Sequence, residues 1–211
     1  VYIFPNDLLH QRKINVVFFN VITKINGKDL RSGIAKDDTS KSDILKKYLG
    51  QAYVIPEITT VKLDLVDETT KETNADYLAC CIQDTTVQGA YTSIDPDKKN
   101  DLKKFLLQAT EEKYDNCFKI YFIGDRCPGS NGFSSGEKFT VCFSSAIPST
   151  PAHELGHALG LPHTFDGSTS RAKYVYEDGM TDNIMDYSHL LGIARHSFFH
   201  WQWHTMNIKL R

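Results

Sequence analysis

The chain has 211 residues, of which 41% are hydrophobic, so it is long and apolar enough to bury the core of one globular domain. Its formal net charge of −2 at pH 7 gives no sign of the basic surface that a nucleic-acid or membrane-surface partner would need. The longest apolar runs, such as residues 14–22, are shorter than the roughly 20 residues of a transmembrane helix.

The first third of the chain alternates strand, helix and strand. Residues 16–25 are β-branched and aromatic and predict a buried strand, which ends at the turn signal Asn26-Gly27. Residues 40–53 predict a helix with Ser40 or Ser42 as its N-cap. Its apolar positions are Ile44, Leu45, Tyr48 and Leu49. Residues 59–66 alternate polar and apolar positions and predict a half-buried strand.

The middle of the chain continues this alternation. Residues 77–82 fit either a helical turn or a strand, and the pattern leaves both open. Residues 96–114 predict a second long helix capped by Asp95. Its apolar stripe consists of Leu102, Phe105, Leu106 and Ala109. Residues 117–123 predict a strongly apolar strand.

The last third contains a loop, a short strand and two helices. Residues 129–136 are rich in Gly and Ser and predict a loop, and residues 139–143 predict a short strand. A helix follows, with Thr150 as its cap and Pro151 in its first turn. A final helix is expected near residues 197–208. The order indicates one domain, residues 1–211, with an upper α/β lobe to about residue 160 and a small lower lobe from about 161 to 211.

Five cysteines are present, so their number is odd. Because they include no Cys-x-x-Cys pair, a structural zinc site made of thiolates is disfavoured. They are Cys80, Cys81, Cys117, Cys127 and Cys142. Cys127 and Cys142 bracket the Gly/Ser-rich stretch and either form a disulfide or remain buried thiols. The chain begins without Met, so we expect a processed piece of a secreted or otherwise exported protein.

The segment His153-Glu154-Leu155-Gly156-His157-Ala158-Leu159-Gly160-Leu161-Pro162-His163 carries the chemistry. Two histidines four residues apart share one helix face and can bind one ion, with Glu154 beside them to take a proton from water. Gly160 can adopt the positive φ that ends a helix, which allows His163 to return as the third ligand. The alternative, ordinary surface or core histidines, is disfavoured because the full spacing seldom arises by chance. We therefore expect a catalytic Zn²⁺ site.

This segment resembles the metzincin clan of zinc peptidases, whose pattern His-Glu-x-x-His-x-x-Gly-x-x-His is followed by a Met-containing turn. The turn here is Asn183-Ile184-Met185-Asp186-Tyr187, and together with Leu161 and Thr164-Phe165 it is most similar to the pappalysin-like group. The resemblance implies an α+β zincin fold, with helices on a twisted, mostly parallel sheet above and an irregular lower lobe with a C-terminal helix below.

The resemblance also implies roles for residues after the third histidine. Met185 would form the floor beneath the metal and Tyr187 would stabilise the oxyanion, whereas a core Met and a buried Tyr are the alternatives. Residues 188–195 would shape the pocket on the leaving-group side. The expected activity is endopeptidase cleavage of proteins or peptides, with the substrate extended along a strand edge at residues 138–143.

Other patterns allow further interpretations. His196, His200 and His204 could hold a second metal but are more typical of a helix surface. Oxygen-rich residues before the Met-containing turn could bind Ca²⁺ or remain solvated; they are Asp166, Asp178 and Asp182, with Gly167 and Gly179. Residues 129–132 would form the rim of the cleft. A hydrolase of cell-wall peptides and a non-catalytic zinc-binding module remain alternative functions, and we expect a monomer.

Overall fold

The computed structural model describes residues 11–26, 30–34, 39–70, 72–136, 138–167 and 173–210. The strands are β1 (Arg12–Thr23), β2 (Arg31–Ser32), β3 (Val54–Asp64), β4 (Cys81–Gln83), β5 (Tyr91–Ile94), β6 (Phe118–Ile123), β7 (Gly132–Ser134) and β8 (Phe139–Cys142). The helices are α1 (Ser40–Gly50), α2 (Ala75–Leu78), α3 (Lys99–Gln108), α4 (Thr150–Ala158) and α5 (His200–Lys209). Short 3₁₀ helices cover Pro96–Lys98, Glu112–Tyr114 and Ser188–Leu191.

The main sheet has the strand order β3-β1-β6-β8-β7. Strands β3, β1, β6 and β8 run parallel, whereas β7 is antiparallel to β8 and forms one edge. The two-residue β2 pairs antiparallel with the end of β1, and β4 and β5 form a separate two-stranded sheet. The expected α+β fold with a mostly parallel sheet is therefore confirmed.

The central parts of β1 and β6 are apolar and buried because helices cover both faces of the sheet. In β1, Val16 and Phe18 point to one core, while Val17 and Phe19 point to the other. The first core includes residues of α1, α4 and the chain after residue 180, and the second includes residues of α2 and α3. Helix α4, which carries the histidine motif, thus lies between the sheet and the C-terminal part of the chain.

Asp125 organises the chain just after β6. This fully buried carboxylate accepts hydrogen bonds from Thr23 Oγ1 and Tyr77 Oη, both at 2.8 Å, and pairs with Arg31 Nη1 at 2.5 Å. Burial, and then the charge of Asp125, raise the pKa of Tyr77 well above its usual value. The side chains of β1, β2 and α2 therefore fix the position where β6 passes into the next loop.

Several predicted helix details were wrong. The residue before α1 is Thr39, and neither Ser40 nor Ser42 is its N-cap. The N-cap of α4 is Ser149 and not Thr150, because Thr150 is already helical. Thr150 Oγ1 accepts a hydrogen bond from Ile147 N at 3.1 Å. Asp95 does cap its helix through Asp97 N at 2.9 Å.

The long helix predicted over residues 96–114 is divided. A 3₁₀ turn precedes α3, which ends at Gln108, and a second 3₁₀ turn follows. Leu102 and Leu106 are buried, but Ala109 is exposed because the helix has ended there. Residues 77–82, left open by the sequence, form the end of α2 and the start of β4.

The Gly/Ser-rich stretch at residues 129–136 is not only a loop, since it contains the edge strand β7. The expectation of a substrate edge at residues 138–143 was wrong, because β8 is hydrogen-bonded on both sides, to β6 and to β7. All five cysteines are free thiols, so Cys127 and Cys142 form no disulfide. Within the described ranges, no helix combines the length and the apolar character needed to cross a membrane.

Candidate metal centre and active site

Helix α4 places two motif histidines on one face. Pro151 lies in its first turn, where the missing N–H costs no helical hydrogen bond, and the helix is buried along most of its length. The ring centroids of His153 and His157 are 4.8 Å apart, as expected for residues separated by about one helical turn.

The chain reverses direction at Gly160, which has a φ of +91°, in the left-handed region. Leu161 N donates to Gly156 O at 2.9 Å, which closes the end of α4. His163 thereby comes back to the helix, with its ring 4.5 Å from that of His157. The predicted function of Gly160 as the turning point is confirmed.

The three histidines converge through their Nε2 atoms. His157 Nε2 lies 3.2 Å from His153 Nε2 and 3.1 Å from His163 Nε2, and the possible ligand atoms of all three lie within 4.8 Å of one another. Two nitrogens bound tetrahedrally at about 2.05 Å from one Zn²⁺ would be roughly 3.3 Å apart. The donor set therefore fits this ion.

Main-chain carbonyls fix the outer nitrogens of two of the rings. His153 Nδ1 lies 2.7 Å from Ile184 O, and His157 Nδ1 lies 2.8 Å from Leu161 O. An Nδ1–H that donates to a carbonyl leaves Nε2 unprotonated and directed at the metal. Burial is the main cause that lowers the pKa of His157 to about 4 and that of His153 well below its usual value, so both are neutral at pH 7.

Glu154 is buried beside this cluster. Burial raises its pKa to about 8, against the opposing effects of Arg195 and Lys99. Strand β7 begins next to it, because a Cβ built on Gly132 would lie 3.1 Å from Glu154 Cγ. The carboxyl group therefore lies between the histidines and the edge of the sheet, where it can exchange a proton with a bound molecule.

The Met-containing turn packs beneath α4. Met185 is fully buried, and a Cβ built on Gly156 would lie 2.5 Å from its Sδ. Asn183 Oδ1 accepts from Met185 N at 2.9 Å, and the Asn183 and Gln202 side chains exchange two hydrogen bonds, of 2.8 and 3.1 Å. The turn is thus attached to both α4 and α5, with Met185 packed against Gly156.

Aromatic rings pack around His163. Tyr187 lies 4.7 Å from the ring of His163 and 5.8 Å from that of His153, measured between centroids. Phe165 stacks on His163 at 4.9 Å with an angle of 6° between the rings. Burial, and then the charge of Glu154, raise the pKa of Tyr187, so its hydroxyl is protonated at neutral pH.

Arg195 is a site residue whose individual importance the sequence does not reveal. Its Nη1 donates to Asp186 O at 3.0 Å and to Ile184 O at 3.3 Å, and its Nε donates to Ser149 Oγ at 3.0 Å. It ties the Met-containing turn to the start of α4. Its acceptors are mostly main-chain oxygens, which have no sequence signature.

A cleft of about 390 Å³ opens beside His153 and Glu154. The segment after Tyr187 contributes His189, Leu190 and Arg195. The opposite wall contains the whole rim predicted at residues 129–132, together with Arg126 and Cys127.

The other candidate clusters do not converge. Within the ranges the structure covers, the three motif histidines are the only group of three or more His, Cys, Asp or Glu residues close enough for one ion. His196, His200 and His204 are exposed, and His196 precedes α5. Asp178 and Asp182 are exposed as well and form no such group with Asp166.

Comparisons with known proteins agree with this site. The model of the Reprolysin-like metallo-peptidase family M12B matches residues 42–196. The structure of mirolysin in complex with compound 9 aligns with a TM-score of 0.55 and 13% identity, over 93% of this chain and 90% of that one. Mature mirolysin of Tannerella forsythia with a cleaved peptide aligns with a TM-score of 0.51 and 12% identity, over the same shares of both chains. At such identities the likeness shows a shared fold. No curated protein sequence matches this chain.

Proposed function

Since this chain belongs to the Reprolysin-like M12B family of metallopeptidases and is a zinc-dependent endopeptidase, we propose that His153, His157 and His163 hold its zinc and that Glu154 is its general base. The convergence of three Nε2 atoms, two of them oriented by carbonyls behind the rings, is the observation that carries this proposal. When bound, zinc supplies a Lewis acid that polarises a carbonyl and acidifies water.

The protein's own groups move the proton. The positive charge of bound zinc would oppose the burial that raises the pKa of Glu154 and would favour its carboxylate form. That carboxylate accepts a proton from the attacking water and passes it to the amine that leaves when the peptide bond breaks. Its buried position, next to His153 and to the start of β7, allows it to contact both the water and that amine. The Tyr187 hydroxyl is protonated and donates to the oxygen that becomes negative in the transition state.

We propose that substrate adds to the free edge of β7, in place of the β8 edge expected from the sequence. Strand β7 ends the sheet, and its first residue, Gly132, lies against Glu154. The main chain of an extended peptide that pairs with this edge would lie within reach of Glu154.

Broader properties of the protein remain proposals. The Asn-x-Met-Asp-Tyr turn and Thr164-Phe165 favour the pappalysin-like group within the metzincins. We propose one catalytic domain, with lobes that meet near residue 160, a monomeric protein and a secreted or otherwise exported location. A Ca²⁺ site stays a prediction without structural support, since the three loop aspartates do not converge.

The test is Glu154→Gln, which keeps the shape of the side chain and removes the base. We expect the variant to retain its zinc, measured by metal analysis, while kcat/KM on casein falls at least about 100-fold. Glu68→Gln, at an exposed position outside the site, is the matched control and should retain wild-type activity. A fully active Glu154→Gln enzyme would exclude Glu154 as the base.

The same assay separates the alternative functions. Cleavage of casein supports the endopeptidase, whereas cleavage of cell-wall fragments alone supports a cell-wall hydrolase. A protein that binds zinc and cleaves neither would be a non-catalytic module. The presence of Glu154 in the cleft favours catalysis, because a module that only binds would not need a buried carboxyl at this position.

A further inference from the structure

The cleft beside Glu154 has a charge pattern that bears on which peptides are cleaved. Because Glu154 delivers its proton to the leaving amine, the cleft next to it receives the side chain of the residue that carries that amine. This assignment rests on the proposed function. Among the described residues that line the cleft, Glu154 itself is the only acidic one.

Two arginines and His189 also line the cleft. Arg126 is exposed at its wall and makes no ion pair or side-chain hydrogen bond within the part of the chain that the structure describes. Arg195 is 5% exposed, and its Nε and Nη1 are engaged while Nη2 has no acceptor in the described residues. His189 Nδ1 is buried and has no hydrogen-bond partner among the residues that the structure describes.

The wall that carries Arg126 is fixed in place. Asp125 is anchored by its three side-chain partners, and Arg126 O accepts a hydrogen bond from Ile94 N at 2.8 Å. Cys127, the next residue, is 1% exposed. Behind this wall, Lys99 Nζ donates to Ser130 Oγ at 3.1 Å and adds a further positive charge near the cleft. The guanidinium of Arg126 therefore projects from a rigid main chain.

We propose that this cleft selects substrates with a carboxylate on the leaving-group side, supplied by Asp or Glu directly after the cleaved bond. A guanidinium binds a carboxylate through charge-assisted hydrogen bonds, and the neighbouring donors that lack acceptors would complete them. A Lys or Arg side chain would meet like charges in the same space and is disfavoured. A terminal carboxylate could supply the same chemistry, and the test distinguishes the two sources.

The test compares peptides that differ only in the residue after the cleaved bond, which is Glu, Gln, Leu or Lys. Each is made with an amidated and with a free C-terminus, and kcat/KM is measured with the zinc-loaded wild-type enzyme. We expect Glu to exceed Gln about five- to tenfold, as for one charge-assisted contact at a partly exposed site, and Lys to be poorest. A preference for Glu that persists in the amidated series assigns the contact to the side chain. Faster cleavage of every free-acid peptide than of its amide, without a preference for Glu, assigns it to the terminal carboxylate and overturns the proposal.

Two variants of Arg126 locate the effect. Arg126→Gln should lower the ratio of Glu to Gln peptides about fivefold, and Arg126→Glu should shift the preference toward Lys. Lys46→Gln removes an equal charge at an exposed position on α1 and should leave the ratio unchanged.

A binding measurement gives a readout independent of turnover. Product peptides that begin with Glu should bind Glu154→Gln several-fold more tightly than those that begin with Gln, and the difference should vanish when Arg126→Gln is added. Cleavage without a preference for Glu, or with a preference for Lys or Leu, would overturn this proposal and leave the endopeptidase intact. Failure to cleave any peptide or casein would overturn both.

Discussion

Gly156 has no side chain, and the space that a Cβ would occupy is filled by Met185. Gly156→Ala would place its methyl group about 2.5 Å from Met185 Sδ, so one of the two must move. We expect the free energy of unfolding to fall by about 1–3 kcal/mol, as for other overpacked cores, in denaturant titrations of the zinc-free protein.

Gly50→Ala is the control for this variant. No atom lies within 4 Å of a Cβ at this position in the last turn of α1, so the change should be neutral or slightly stabilising. Equal losses in both variants would show that the contact with Met185 is not the cause.

Single residues differ in how much the sequence reveals about them. The ligand histidines, Glu154 and Gly160 could be predicted because helical spacing and a left-handed turn depend on local chain geometry. Arg195 could not be singled out, because its partners lie 9 to 46 residues away and two of them are carbonyl oxygens that every residue possesses.

The Met-containing turn depends on α5 for its position. Asn183→Ala would remove the acceptor of Met185 N and leave the buried Gln202 amide without its partner. We expect a loss of about 1–3 kcal/mol in unfolding free energy. Zinc should also bind more weakly in chelator competition, because Ile184 O, which orients His153, belongs to the same turn.

An exposed asparagine serves as the comparison. Asn100→Ala, in α3, removes an amide that makes no hydrogen bond described in the structure, so stability and zinc affinity should both remain near wild type. A zinc affinity that is unchanged in Asn183→Ala would mean that the turn does not position the metal ligands.

Among the elements, the apolar strands and the motif helix could be predicted, whereas β7 could not. Strands β1 and β6 contain the apolar runs 16–19 and 120–123, which identify buried strands without knowledge of their neighbours. Strand β7 has only three residues, Gly, Phe and Ser, and is a strand only because β8 pairs with it. For the same reason the sequence assigned the substrate edge to the wrong strand.

At the scale of the whole molecule, the metal ligands connect helix α4 with the chain segment that follows its end. Helix α4 belongs to the core under the sheet, while His163 follows the chain reversal at Gly160. Removing zinc with a chelator should abolish activity and lower Tm. Adding free zinc at 100 times its Kd should raise the free energy of unfolding by about 2.7 kcal/mol.

Variants of two histidines test whether this stabilisation comes from the proposed site. His163→Ala should show no increase in Tm on addition of zinc, whereas His204→Ala, at an exposed position of α5, should respond like the wild type. A loss of the response in His204→Ala would indicate that zinc stabilises the protein from a second location.

The shortness of β7 has a consequence for the cleavage of folded proteins. A strand of three residues offers main-chain pairing over only about 10 Å, and that pairing requires the substrate itself to be extended. A segment that is already helical or paired in its own sheet must first open locally, and the free energy of that opening subtracts from binding. We therefore expect flexible linkers and chain ends to be cut first, and the rate on a folded protein to follow the rate or extent of its local unfolding.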